Sequence, residues 1–177
     1  PNNSIGAAEL ASGALPPRVI WIPCPALLPL EAADVIPPLT KDAGTNIDQL
    51  LCTFDADADE GRPGNFLANG RMESGSTVTF TVLWYSLAAT TGDAVWNIRH
   101  NSGTAADIDP DVALTTLTAT DTTAGTAGQV SQTVITETLT NLAWVSGDLV
   151  YFTLHRDANN AADTLVGDAL VVGVNIS

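Results

Sequence analysis

The stretch Asp55-Ala-Asp-Ala-Asp-Glu-Gly61 sets carboxylates at alternate positions, the pattern by which a loop gathers several oxygen ligands around a hard cation such as calcium. The spacing departs from that of an EF-hand: the glycine arrives one place late, and the twelfth position is Phe66 instead of a bidentate glutamate. A second set, Asp107-Ile-Asp-Pro-Asp111, offers three more carboxylates from another loop. Asp55, Asp57, Asp59, Asp107, Asp109 and Asp111 are therefore weak calcium candidates. Solvated acidic turns are the plainer reading, because spacing does not dictate that the oxygens converge.

The other chemistry-bearing residues are sparse. His100 and His155, the two histidines, each lie at a predicted strand end beside an arginine, without the paired ligand spacing that zinc requires. Cys24 sits between prolines and Cys52 inside the apolar run Leu50-Leu51-Cys52. One disulfide is possible, but the apolar surroundings favour buried free thiols. No nucleophile elbow, phosphate-cradling glycine loop or two-histidine helix motif occurs, so neither an enzyme nor a cofactor is expected. Of the four tryptophans, Trp84 and Trp96 fall on apolar strand faces and are expected in the core, leaving Trp21 and Trp144 as rings that could stack on sugars.

Formal net charge is -14, and the six basic residues are scattered singly, so the clustered Lys and Arg that displace counterions from phosphates are missing. Nucleic acid is excluded on that ground, and an anionic membrane surface would repel the chain. No charged leader followed by an apolar stretch stands at the start, so secretion by a classical signal is not expected.

The elements that must position these residues are strands. From Ile47 onward the chain reads as Gln49 to Phe54, Asn65 to Ala68, Thr77 to Tyr85, Ala94 to His100, Leu114 to Thr120, Val130 to Leu139, Leu149 to Arg156 and Ala169 to Ile176, separated by Gly, Asp, Asn and Thr turns. The last two, joined by small residues, read as a terminal hairpin. In Thr77-Val-Thr-Phe-Thr-Val-Leu-Trp84 the alternation puts Val78, Phe80, Val82 and Trp84 on the core face. At most a turn or two of helix is expected, near Asn141 to Trp144. Eight strands in one domain of this length predict an all-β fold, a single antiparallel β-sandwich of jelly-roll type over residues 45–177. Residues 1–44 form a Pro-rich extended arm, whose prolines forbid a membrane helix or a long central strand. It either lies across its own sandwich or reaches another protein. Val19, Ile20, Trp21, Ile22, Leu27, Leu28 and Leu30 are its candidate contact residues.

Several segments together, Val78 to Tyr85, Ser86-Leu-Ala-Ala-Thr-Thr-Gly-Asp-Ala-Val-Trp96, the Thr-Ala-Gly loop before Val130, Gly147-Asp-Leu-Val150 and Arg156 to Ala169, resemble the jelly-roll structural proteins of tailed bacteriophage virions. Such domains serve as capsid cement or decoration proteins and as knobs of head or tail fibres. The resemblance implies a non-enzymatic subunit on the outer capsid surface, assembled in the host cytoplasm. It also implies the major capsid protein as partner and a homo-oligomer, with a trimer favoured over a dimer. The alternative is a receptor- or glycan-binding knob of a head or tail fibre.

Overall fold

The computed structural model describes residues 19–28, 35–43, 48–68, 77–88, 91–101, 114–138 and 148–177. They form ten strands: β1 (Ile20–Pro23), β2 (Leu39–Ala43), β3 (Asp48–Phe54), β4 (Glu60–Leu67), β5 (Thr77–Tyr85), β6 (Asp93–His100), β7 (Thr115–Thr122), β8 (Ser131–Thr138), β9 (Leu149–Arg156) and β10 (Ala169–Ile176). A single 3-10 turn, Cys24–Ala26, follows β1. The predicted ends of β5, β9 and β10 coincide with those found. The expected helical turn near Asn141 to Trp144 and the residues Leu30, Asp107, Asp109, Asp111 and Trp144 lie outside the described residues.

The strands make two antiparallel sheets packed face to face. One runs β2-β3-β10-β5-β8, with β1 also on β10, and the other runs β4-β9-β6-β7. Four nested partnerships, β3 with β10, β4 with β9, β5 with β8 and β6 with β7, run through both sheets. That nesting is a long antiparallel ribbon rolled over on itself, which is the jelly-roll topology.

The expected terminal hairpin does not form. β9 pairs with β4 and β6 in the smaller sheet, whereas β10 pairs with β1, β3 and β5 in the larger one. The two strands face each other across the core. Period-2 alternation fits either arrangement, because each strand buries one face in both.

Inward residues of the two sheets interdigitate in one core. Phe54, Trp84 and Trp96 fill one end, with ring centroids 5.3 Å apart for Phe54–Trp96 and 5.7 Å for Trp84–Trp96. Phe66, Phe80 and Phe152 fill the other, at 5.9–6.3 Å in edge or tilted geometry. These are the offset separations that aromatic quadrupoles prefer. Trp84 and Trp96 are both fully buried, as their strand positions require.

β4 begins at Glu60, five residues earlier than the prolines and glycines around it suggest. It survives Pro63 because β4 is the edge of its sheet, where one side of the strand needs no ladder partner. β1 and β2 lie within the Pro-rich segment for the same reason: each is short and sits at a margin.

The described part of the arm is fastened to its own sandwich. β1 pairs with Gly173–Ile176 of β10, and β3 takes Ala169–Val171 on the same edge of that strand. One edge of β10 is thus shared end to end by two strands, and the opposite pairing with β5 skips Val172 at the changeover. Gly173 is needed at this seam: a Cβ there would stand 2.5 Å from the Ile22 carbonyl oxygen and 2.7 Å from the Trp21 ring. Ile22 and Leu27 enter the core, with Ile20 packed against it. The Arg62 guanidinium, buried, donates to the Pro37 carbonyl from Nε at 3.0 Å and to the Leu27 carbonyl from Nη1 at 3.2 Å, tying two turns of the arm to β4.

The cysteines are not free thiols. Cys24 and Cys52 form a disulfide with Cα atoms 5.9 Å apart, both side chains fully buried. Apolar flanks suit a buried disulfide as well as a buried thiol, and here the fold brings the end of β1 beside β3 at the seam. Replacing both cysteines by serine is expected to cost roughly 2–4 kcal/mol, since the bridge constrains the unfolded chain. Urea denaturation of the double variant against the parent, and of the parent with and without reductant, measures this. Equal midpoints in both comparisons would show that the bridge contributes nothing.

Candidate functional site

Among the described residues, the largest concentration of directed polar chemistry surrounds Arg156. This residue is the last of β9, faces inward, and is completely buried. Nε and Nη2 grip the Asp163 carboxylate at 3.1 and 2.9 Å, a bidentate pair. Nη1 donates to the carbonyls of Asp55 at 3.0 Å and Gly167 at 3.1 Å, with a longer contact to Phe54 at 3.3 Å, and Nη2 donates also to Leu165 at 2.9 Å. Asp163 accepts in addition from the Val95 amide at 3.0 Å. A planar fork of five donors meets a carboxylate and carbonyls from two chain segments. All of its capacity is committed to structure, so Arg156 closes one end of the sandwich and leaves nothing for a substrate.

The acidic loop lies next to this plug. The Asp55 carboxylate accepts the Asp57 amide at 2.7 Å, and the Glu60 carboxylate accepts the Asp55 amide at 2.7 Å. The Asp59 carboxylate accepts the Asn159 amide at 3.0 Å, which joins this loop to the β9–β10 crossover. Burial pushes the Asp59 carboxyl up, but hydrogen bonds from Asn159 and Ala158 and the nearby His155 outweigh it and hold the group below the usual carboxylate range. The Asp55 and Asp59 carboxylates therefore organise backbone turns, and Asp57 takes part through its amide. Among the described residues, no three His, Cys, Asp or Glu side chains come together in a way that could hold a metal ion.

Both histidines are buried. His100 stacks on Phe80 with centroids 6.4 Å apart, has Nδ1 3.0 Å from the Asn101 carbonyl, and contacts Glu137 of the opposite sheet through Nε2. His155 is paired with Gly61 and Asn97 in the smaller sheet, and in the turn that follows it Asp157 accepts from Asn97 at 3.3 Å and from Asn160 at 3.1 Å. The Trp84 indole donates to Thr133 at 2.8 Å, and Thr133 donates to Asp121 at 3.0 Å.

The candidate contact residues divide by orientation. Ile22 and Leu27 lie inside the chain's own core and Ile20 is half-buried, while Val19, Trp21 and Leu28 are exposed at 53%, 44% and 54%. Sequence reasoning missed a cavity of about 430 Å3 on the outer side of the larger sheet, lined by Pro38, Thr40, Thr53, Ser86, Leu87, Ala88, Gly167, Asp168 and Leu170. No motif could have announced it, since its walls come from four separate segments.

No protein-family model matches the chain, and no curated protein does. Solved structures similar to it include the CBM22-1–GH10 modules of Clostridium thermocellum endo-1,4-beta-D-xylanase 10B complexed with xylohexaose, at TM-score 0.47 and 10% identity over 80% of this chain. This chain spans 24% of the length of that one. Another is the CBM35 from Cellvibrio japonicus Abf62, at TM-score 0.46 and 12% identity, covering 90% of this chain and 92% of that one.

Two outcomes follow from this geometry. Arg156→Met leaves the Asp163 carboxylate buried without its counter-charge and should cost about 3–5 kcal/mol of folding stability, read from urea denaturation. A loss below about 1 kcal/mol, the level of a surface ion pair, would refute the plug. The second concerns Glu60, whose carboxyl burial raises above its ordinary value, against the hydrogen bond from Asp55. A raised acid binds more protons in the folded state, so its ionisation destabilises the fold as pH climbs from the ordinary glutamate range through the raised value. Glu60→Gln should therefore gain melting temperature relative to the parent between pH 4 and pH 7, a window set roughly by the usual glutamate range. A difference that is flat or falls over that window would contradict the assignment.

Proposed function

We propose that this chain is a non-enzymatic virion structural protein, a capsid cement or decoration subunit whose partner is the major capsid protein. The observation that supports the reading is the set of apolar side chains left outside the core on a segment that is otherwise held firmly. Trp21 on β1 and Val19 just before it are exposed, and Leu28 is exposed beside the Arg62 clamp. Their backbone is already fixed by β10, by the Leu28 amide donating to the Pro63 carbonyl at 2.9 Å, and by the disulfide. Pre-ordered apolar anchors lose little conformational entropy on docking, which makes a small patch effective. A shell displays its binding surface many times over, so an oligomeric subunit with modest patches gains avidity from repetition.

In this reading Val19, Trp21 and Leu28 make the contact, while Ile22 and Leu27 hold the arm in place. The polar clusters fit a scaffold role, as Arg156, Arg62 and the Asp55–Glu60 loop all bind main-chain atoms of the same chain. The alternative, a receptor- or glycan-binding fibre knob, would use a different surface and would not require a shell.

Co-sedimentation with capsids stripped of this protein decides between them. The parent should bind saturably, and Trp21→Ser combined with Leu28→Ser should weaken binding roughly tenfold or more, the loss expected on removing two anchor side chains. Both positions are partly exposed, and the melting temperature of the variant checks that the seam where the Trp21 ring lies over Gly173 is kept. Unchanged binding by the variant would remove the arm from the contact, and failure of the parent to bind would remove the shell role.

A further inference from the structure

We infer that the outer edge of β7 is a self-association site, at which the same edge of a second copy adds antiparallel and continues the smaller sheet across a twofold axis. The free edges of the fold are treated unequally. β1 has four residues and ends at Pro23, and β2 has five and carries Lys41. β4 holds Pro63 and is covered by the arm: the Gly61 amide donates to the Val35 carbonyl at 3.2 Å, and the Pro63 carbonyl accepts the Leu28 amide at 2.9 Å. β7 has none of these devices. Its eight residues include no proline and no basic side chain, its register with β6 is unbroken, and no described strand pairs with its other side.

One bond fixes which groups that edge presents. The Thr123 amide donates to the Gly92 carbonyl at 2.9 Å, continuing the β6–β7 register by one position. Bonding alternates along an antiparallel strand, so the odd-numbered residues of β7 bond to β6, and the amides and carbonyls of Thr116, Thr118 and Thr120 point away from it. Placing Thr118 opposite its twin sets Thr116 opposite Thr120 of the second copy, and each such pair exchanges two N–H···O bonds. On the core face the same register sets Leu117 against Ala119 of the second copy. Both are only half-buried although they pack against the core, so the added strand covers apolar surface that is still open. On the outer face it sets threonine against threonine, a favourable cross-strand pair.

Charge favours a second copy at this edge. A chain of net charge -14 repels its own copies over most of its surface, and association needs a place where carboxylates do not meet. The acid of β7, Asp121, accepts from Thr133 of the opposite sheet at 3.0 Å, and in this register it faces Thr115 of the second copy. β8 is an open edge of equal length, but its inward residues Ser131, Thr133 and Ile135 are already buried, so a further strand gains less there. None of Val19, Trp21 or Leu28 takes part, so this contact and the proposed shell contact stand or fall separately.

Sedimentation velocity over a concentration series tests this on the intact protein. An edge this short makes a small interface, so a dimer that dissociates on dilution is expected. Amide exchange should slow at Thr116, Thr118 and Thr120 as concentration rises. Thr118→Pro removes an outward amide that β6 does not use, and Thr118→Glu opposes two carboxylates across the axis. Each should weaken the dimer roughly tenfold or more, the change produced by two lost hydrogen bonds or a like-charge pair. Thr136→Pro makes the same change on β8, where Thr79 bonds to Ser177 and leaves the Thr136 amide outward, and should keep the dimer. Melting temperatures check that the variants fold, and Thr118→Glu carries the test if Thr118→Pro proves unstable. A monomer or a trimer throughout, a dimer unchanged in the folded Thr118 variants, or one lost in Thr136→Pro would overturn the assignment.

Discussion

Everything at one end of this sandwich depends on a single buried guanidinium. A jelly roll must carry its chain from one sheet to the other after β9, and the loop that does so exposes carbonyls that neither sheet can pair. Arg156 satisfies Leu165 and Gly167 in that loop, reaches across to Asp55 at the end of β3, and is neutralised by Asp163 from the loop itself. A buried pair of this kind contributes geometry more than net energy, because desolvation cancels much of its attraction. Its value is that only one path of the crossover places all the acceptors within reach. The acidic loop, the Asp59–Asn159 link and the cavity wall at Gly167 and Asp168 all inherit their positions from it.

At the flank of the larger sheet a different constraint operates. β3 covers only the first residues of one β10 edge, which would leave the remainder as unpaired backbone, a hazard for edge-to-edge association. β1 fills the gap, Gly173 makes room for it, and the disulfide bolts β1 to β3 where they meet. The Pro-rich segment is thus partly a structural element of the sandwich, and its prolines fall where the chain leaves a strand or turns. Pro37 and Pro38 serve as acceptors for Arg62 and Thr53.

What the sequence disclosed follows from what side-chain periodicity can encode. Strands such as Thr77–Tyr85, with a clean apolar face, were legible to the residue, and so was the burial of Trp84 and Trp96. Pairing was not: nothing in Leu149–Arg156 or Ala169–Ile176 says that a loop rich in Ala and Asn will carry the chain between sheets. Arg156 beside His155 reads as a surface residue at a strand end, because one basic residue carries no mark of the carbonyls that will surround it. β1 and β2 were hidden by their length and prolines, and the disulfide by flanks that a thiol would share. The cavity has no linear signature at all, since Thr40, Thr53, Ser86 and Asp168 are brought together only by the roll.

The nested pairing also dictates an order of assembly. β6 and β7 are neighbours in sequence, β5 and β8 enclose them, β4 and β9 enclose those, and β3 with β10 comes outermost. Loop-closure entropy makes the inner hairpin the cheapest contact to form, with each enclosing pair closing a shorter effective loop once the one inside it exists. β1 must wait longest among the described strands, because its partner β10 is the one farthest from it in sequence. Cys24 accordingly meets Cys52 in its final setting only once β1 has docked on β10.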